Sequence, residues 1–274
     1  MRVFVNALST ANSFGIGRYT RAMIQGLALA KPKDAQLYVY TRDPDSVMLP
    51  DPKKVIFVRP GAPGANRLLL EQGDLPRAIS RARADVFISP DFTLPQICPA
   101  KKRIVTVHDM LVYTHPEGIS AKARLLYRTF LPGSIRRATS ILADSEYTRR
   151  SMADLFPLDA HKAKVVYPAL SLEFLGAECS PPGAPLLITP PEWTDIVAVE
   201  EPFLLSVGSS SARKNTDRLA AVFCEWRQKT DWPGHLVLVG GDGAFHRPKS
   251  RIWDVGFQDD RTLRTFYYRA AGLI

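Results

Sequence analysis

The chain has 274 residues, 46% hydrophobic and 23% charged, with 36 Lys/Arg against 27 Asp/Glu for a formal charge of +9. That composition supports a packed core and excludes a disordered or collagen-like chain, and no apolar run approaches the roughly 18 residues of a membrane span. Cys98, Cys179 and Cys224 lie far apart with no C-x-x-C pair, which argues against a disulfide framework and a structural zinc site and for a cytoplasmic setting.

Met1-Arg2-Val3-Phe4-Val5-Asn6 turns polar too soon for a signal peptide and predicts a first strand over 2–8. Apolar residues at helical spacing follow over 17–29, then strands over 36–41 and 55–58, a helix over 67–83 and a strand over 85–89. A buried-type strand over 103–108, a helix over 120–137, a strand over 140–144, a helix over 146–156 and a strand over 164–167 complete the first half. This alternation predicts a parallel sheet covered by helices on both faces. Residues 171–201 change character, with five prolines and six acidic residues, and read as a Pro-rich acidic linker between an N-terminal domain, 1–170, and a second one, 202–274. The pattern then resumes: strand 203–207, helix 215–229, strands 236–240 and 252–257, and helix 259–271. Leu263, Phe266, Tyr267 and Ala270 form an apolar stripe on that last helix, Gly272 is its expected cap, and 273–274 begin another strand.

The charge is unevenly divided. Residues 1–170 carry 25 Lys/Arg and 14 Asp/Glu, a net of +11, and the remainder carries −2. A basic first half points to an anionic partner.

Four segments fall where α/β sheets place ligands, in loops at the carboxyl ends of strands. Gly15 and Gly17 precede a helix whose free N–H groups suit an anion, although neither a G-x-G-x-x-G nor a P-loop pattern is present; an ordinary turn is the alternative. His108 and Asp109 end an apolar strand and suit substrate orientation or proton transfer, or else a backbone-satisfied histidine and a turn cap. Asp144, Ser145 and Glu146 open a helix, as an N-cap with acidic first-turn residues or as part of the same crevice. Finally, Gly208, three serines, Arg213 and Lys214 combine flexible backbone, two cations and a helix start, as a phosphate requires, and Gly240-Gly241 adds a second glycine-rich edge.

Taken in order, these segments closely resemble the family 4 glycosyltransferases, most of all the bacterial mannosyltransferase-like members. The resemblance runs through GIGRYT at 15–20, Glu71-Gln72 with Leu75-Pro76, ADVFISP at 84–90, TVHD at 106–109, His115-Pro116-Glu117, DSEYTRR at 144–150 and VVYP at 165–168. In the second half it covers LSVG at 205–208, Arg213-Lys214-Asn215, LVGG at 238–241, Gly256-Phe257 and Asp259-Asp260.

The resemblance implies a GT-B fold: two Rossmann-like parallel-sheet lobes, the first receiving the acceptor, the second holding a sugar nucleotide, with the active site in the cleft between them. It implies that Gly15, Gly17 and Gly208 lie near the donor phosphates, that His108, with Asp109, serves the reaction centre, and that Lys214 and Arg213 neutralise the leaving diphosphate. Arg18, Ser145 and Glu146 fall on the acceptor side, and Gly240 and Gly241 at the nucleotide edge. The implied reaction retains the anomeric configuration and needs no metal or cofactor. GDP-mannose is preferred over UDP-sugars, and a glycan or lipid-linked acceptor of cell-surface polysaccharide synthesis is expected. The cationic helix 120–137, with Lys122, Arg124, Arg128, Arg136 and Arg137 around Leu125, Leu126, Tyr127 and Phe130, fits peripheral contact with the inner membrane face, or merely a solvated helix surface.

The family often has a basic residue after the strand-end glycine where this chain has Ser209, with Arg213 as the expected substitute, an arrangement that many relatives with an Arg-Lys-Asn loop share. The family's later Glu, seven residues, Glu motif lies beyond residue 274, so the second lobe is expected to be incomplete. A non-catalytic remnant that binds an acceptor or partner protein is the competing reading. Nucleic-acid binding and a nicotinamide dehydrogenase lack the motifs they need.

Overall fold

The computed structural model describes residues 1–12, 15–62, 64–176, 186–188, 197–199, 202–208, 214–241 and 247–274. The chain divides into two units, Met1–Leu172 and Glu173–Ile274. In the first, short apolar runs form β1 (Arg2–Asn6), β2 (Gln36–Tyr40), β3 (Val55–Val58), β4 (Val86–Ser89), β5 (Lys102–Val107), β6 (Ser140–Ala143) and β7 (Ala163–Val165). The seven strands are parallel, in the order β3-β2-β1-β4-β5-β6-β7.

Successive strand side chains point to opposite faces, which divides the core in two. Val5, Val39 and Ile88 face helix α1 (Gly15–Ala30), packing on Ile24 and Ala28. Phe4, Tyr40 and Phe87 face helix α2 (Leu75–Arg81), packing on Leu75 and Ile79. Central β4 is buried at every position, as a strand covered on both sides must be. The order reverses between β1 and β4, and the crevice outside their carboxyl ends is where such sheets bind ligands.

The single helix expected over 67–83 is broken into a turn at Arg67–Leu69, a π-helical turn at Leu70–Asp74 and α2. Pro76 has no N–H to return to the carbonyl four residues earlier, so a continuous α-ladder cannot pass this point. Leu70 and Glu71 are buried at the widened turn. Helix α3 (Ala121–Arg137) carries Pro132 inside it and buries Leu131, Ser134 and Ile135, whereas Leu125 is 71% exposed. Helix α4 (Glu146–Leu155) follows β6.

Part of the expected 171–201 linker, Cys179 included, lies outside the described residues. Within it, a short helix at Leu172–Gly176 is followed by β8 (Leu186–Ile188) and β9 (Val197–Val199), which pair antiparallel. The second unit's main sheet comprises β10 (Phe203–Val207), β11 (His235–Val239), β12 (Ile252–Asp254) and β13 (Gly272–Leu273), all parallel in the order β12-β11-β10-β13. Helix α5 (Thr216–Thr230) covers one face with Ala220 and Phe223, and α6 (Asp260–Arg269) the other with Leu263 and Phe266. The stripe on α6 is narrower than its spacing predicts, since Tyr267 is 41% exposed. Gly272 is not its cap: the helix ends at Arg269, and Gly272 pairs with Leu204 as part of β13.

Candidate functional site

In the first unit, the strand-end residues build one polar cluster around His108, just past β5. Its Nδ1–H donates to Asp144 Oδ2 at 2.6 Å and its Nε2–H to the Pro90 carbonyl at 2.8 Å. A carbonyl and an ionised carboxylate both accept, so this pair of partners favours the ring with both nitrogens protonated, an imidazolium. Burial by itself favours the neutral ring. The Asp144 hydrogen bond and charge, with the Pro90 carbonyl, outweigh it and raise the His108 pKa above the ordinary 6.5. Tyr19 meets the ring edge-on at 4.8 Å and Phe92 at 5.3 Å, which fixes its plane. Burial in turn pushes the Tyr19 phenol up to about 12, against an opposing pull from its bond to the Thr106 hydroxyl.

A pH dependence follows from that raised value. The imidazolium–carboxylate pair stabilises the fold fully below the unfolded pKa near 6.5, and this contribution is lost as pH rises through the higher folded value. Relative to wild type, His108→Gln should therefore unfold earlier at acid pH, with the gap closing on the alkaline side. Unfolding midpoints across pH 5 to about 9 check this, and a gap that is flat or widens with pH would contradict the charged pair.

The neighbouring strand ends supply a second group. Arg67 Nε donates to Glu71 Oε1 at 2.7 Å, and its guanidinium also pairs closely with Asp91 Oδ2. Asn6 Nδ2, at the end of β1, donates to Glu71 Oε1 at 3.3 Å, and the Thr93 hydroxyl donates to Glu71 Oε2 at 3.4 Å. Glu71 and Asp91 are 7% and 3% exposed. Burial works against the charge on Arg67, but the two carboxylates outweigh it and hold the guanidinium firmly protonated. Asp91 Oδ1 and Asp144 Oδ1 are buried with no hydrogen-bond partner among the described residues. These oxygens give the crevice unused acceptor capacity.

Other expected site residues have local tasks. Asp109 Oδ1 accepts from Leu111 N–H and closes a turn. Ser145 caps α4, its Oγ accepting from Thr148 N–H, while the Thr148 hydroxyl donates to the His108 carbonyl. Glu146 is turned to Arg149 and Arg150, whose hydrogen bonds bring its pKa down to about 2. Of the segment 144–146, it is Asp144 that touches His108. Arg18 is half-buried on α1. Gly15 has open space around it, whereas Gly17 is packed against the backbone of Ser9 and Asn12.

In the second unit, β10 and β11 end at Gly208 and Gly240, with φ of +153° and +94°. A side chain on Gly240 would sit 3.2 Å from the Gly208 carbonyl oxygen, and one on Gly208 would sit 3.0 Å from Lys214 Cε. Glycine at both lets the Lys214 stem lie over the strand end. Lys214, Gly208, Gly241, Thr216 and Asp254 line a pocket of about 140 Å3 there. Arg213 lies outside the described residues. No cluster of three or more metal-ligating side chains occurs among the described residues.

Sequence reasoning passed over Arg67 and Asp91 as site residues and met Glu71 only within a resembling motif. The Arg67–Glu71 spacing of four and an aspartate directly after a buried strand were the available signals.

No curated protein matches the sequence. Among solved structures, WaaG, a glycosyltransferase involved in lipopolysaccharide biosynthesis, superimposes with a TM-score of 0.60 at 13% identity, over 100% of this chain and 74% of that one. A glycosyltransferase from Rickettsia africae ESF-5 gives 0.57 at 13% identity, over 99% and 71%. S. aureus MnaA, solved with UDP, gives 0.52 at 9% identity, over 99% and 73%. At such identities these similarities establish the fold, which is GT-B, with a Rossmann-like parallel sheet in each unit. The model of Glycosyltransferase Family 4 matches residues 15–174, more than half the chain, so the protein belongs to that family of glycosyltransferases.

Proposed function

We propose that the protein transfers a hexosyl group, mannosyl by its resemblance, from a sugar nucleotide to a glycan or lipid-linked acceptor, with retention at the anomeric carbon. The observation that carries this reading is the pocket at the end of β10 and β11, where the Lys214 side chain lies against the Gly208 backbone with Gly241 and Thr216 beside it. As the bond from the anomeric carbon to the diphosphate breaks, negative charge grows on the departing oxygen. Lys214, with Arg213, would stabilise it. The acceptor hydroxyl would form the new bond from the same face and pass its proton to the leaving phosphate oxygen. With both ring nitrogens held by Asp144 and Pro90, His108 would act through its charge and not as a proton acceptor.

GDP-mannose is the first donor to test, with UDP-sugars beside it, since MnaA was solved with UDP. The +11 charge of residues 1–170 and the exposed Leu125 and Leu126 on α3 support a phosphate-linked lipid acceptor approached at an anionic membrane surface. No helix among the described residues is long and apolar enough to cross a membrane.

Calorimetric titration with GDP, UDP and their sugar conjugates tests the donor site. Saturable binding to one nucleotide family is expected, weakened roughly ten- to a hundredfold by Lys214→Ala, the equivalent of one lost charge-assisted phosphate contact. Transfer of labelled sugar to a lipid-linked acceptor would complete the case. A folded chain that binds no nucleotide would instead favour a role in binding an acceptor or partner without turnover.

A further inference from the structure

A groove of about 570 Å3 lies on one sheet face of the first unit, beside α2 and strands β2 and β3. None of its lining residues belongs to the His108 cluster. Tyr38, whose ring stacks on Phe4 with centroids 6.1 Å apart, contributes to its floor. Four arginines, Arg2, Arg59, Arg81 and Arg83, stand around it. Arg2 donates to the Ala82 carbonyl at 3.5 Å, but the guanidinium groups of Arg59, Arg81 and Arg83 have no hydrogen-bond or ion-pair partner among the described residues. Asp74, also on the lining, is committed to structure: its Oδ2 accepts from the Tyr40 hydroxyl at 2.6 Å and from Gly61 N–H at 3.1 Å. Four guanidinium groups thus line the groove against the single carboxylate of Asp74, and the groove is net positive.

The backbone at Arg83 is an independent observation. Helix α2 ends with Ala84 N–H bonded to the Ile79 carbonyl and Arg83 N–H to the Ser80 carbonyl, the paired bonds of a Schellman cap. The first of the two donor residues takes a left-handed conformation in such a cap, and glycine is the ordinary choice there because it has no Cβ to strain. Here the position holds an arginine at φ +47°. The cap geometry holds Arg83 at the rim of the groove, where a glycine would satisfy the backbone equally well but supply no cation.

We infer that this groove binds a ligand bearing phosphate groups. The guanidinium fork matches phosphate oxygens two at a time, and three unpaired forks around one cavity suit more than one phosphate. The volume falls within the roughly 300–1,000 Å3 of small-molecule sites, so the ligand is larger than inorganic phosphate. A soluble phosphorylated compound and a phospholipid headgroup share this chemistry. The site is separate from the donor pocket, and its existence does not depend on the sugar-transfer reading.

Calorimetric titration with inorganic pyrophosphate tests it, using the full chain carrying Lys214→Ala so that the second unit's pocket does not contribute. One saturable site is expected, weakened roughly tenfold or more by Arg59→Gln or Arg81→Gln and lost when both are combined with Arg83→Gly. Arg83→Gly alone separates binding from folding: it should raise the unfolding midpoint by relieving the cap, yet weaken pyrophosphate binding. Flotation with phosphatidylcholine vesicles, with and without phosphatidylglycerol, distinguishes the sources. Vesicle binding that needs phosphatidylglycerol and is lost in the triple variant, without pyrophosphate binding, identifies the headgroup. Binding of neither probe, or binding unchanged in the folded triple variant, overturns the inference.

Discussion

Arg67→Ala should cost the first unit about 3 kcal/mol, because it leaves two buried carboxylates facing one another without their cation. Glu71 is 7% exposed and Asp91 3%, and both bond the same guanidinium. Breaking a fully buried ion pair costs about 3–5 kcal/mol, and the lower end applies here because 43% of the Arg67 side chain is exposed and water can enter in its place. Denaturant unfolding at neutral pH measures the loss. The triple variant Arg67→Met, Glu71→Gln, Asp91→Asn removes the charge together with its partners and should recover to within about 1–2 kcal/mol of wild type. A single variant as stable as wild type would mean that the network is solvated and contributes little. Recovery of stability without recovery of sugar transfer would place the three side chains in acceptor recognition as well.

The two glycines at the start of α1 should respond very unequally to alanine. A Cβ on Gly17 would lie 1.8 Å from the Asn12 carbonyl oxygen and 2.8 Å from that of Ser9, both backbone atoms that cannot swing aside. Gly17→Ala should therefore displace the loop after β1 and cost upwards of about 3 kcal/mol, beyond the usual range for overpacking. At Gly15 no atom of the described residues outside its chain neighbours lies within 4 Å of the same position. Gly15→Ala should stay within about 1 kcal/mol of wild type, and either sign is consistent with the smaller unfolded-state entropy of alanine. Thermal unfolding of the pair checks this, and equal tolerance of both changes would show that the loop is not packed as described.

That contrast marks the reach of the sequence. A G-x-G ahead of a helix was legible as a backbone approach, but the motif treats its glycines alike, and only the packing of 9–12 against α1 separates them. The stretch 67–83 was legible as helical. Where the ladder would give way, and that the widened turn would carry Glu71 inward, depended on the sheet beneath.

In the second unit the sequence marks Gly208, Lys214, Gly240 and Gly241 as strand-end residues beside a helix start, and the structure places all four around the end of β10 and β11. Parallel strands deliver their carboxyl ends to one edge, so residues in successive strand–helix loops come together whenever the strands are neighbours. The same rule located His108 without naming its partner.

Periodicity, glycine placement and strand-end polarity are local properties, and they were sufficient for the α/β alternation, for most element positions and for the basic character of the first half. Side-chain partnership is not local. His108 and Asp144 are 36 residues apart, and Arg67 and Asp91 are 24 apart. The first pair meets because the order β3-β2-β1-β4-β5-β6-β7 sets β5 beside β6, and the second because the crossover segment from β3 to β4 opens with Arg67 at the carboxyl edge where β4 ends. Strand order is decided by which helix faces can be buried together, a cooperative choice of the whole unit. The chemistry that each strand end could offer was written in its residues, and the fold decided which of those groups would share a proton, a charge or a buried place.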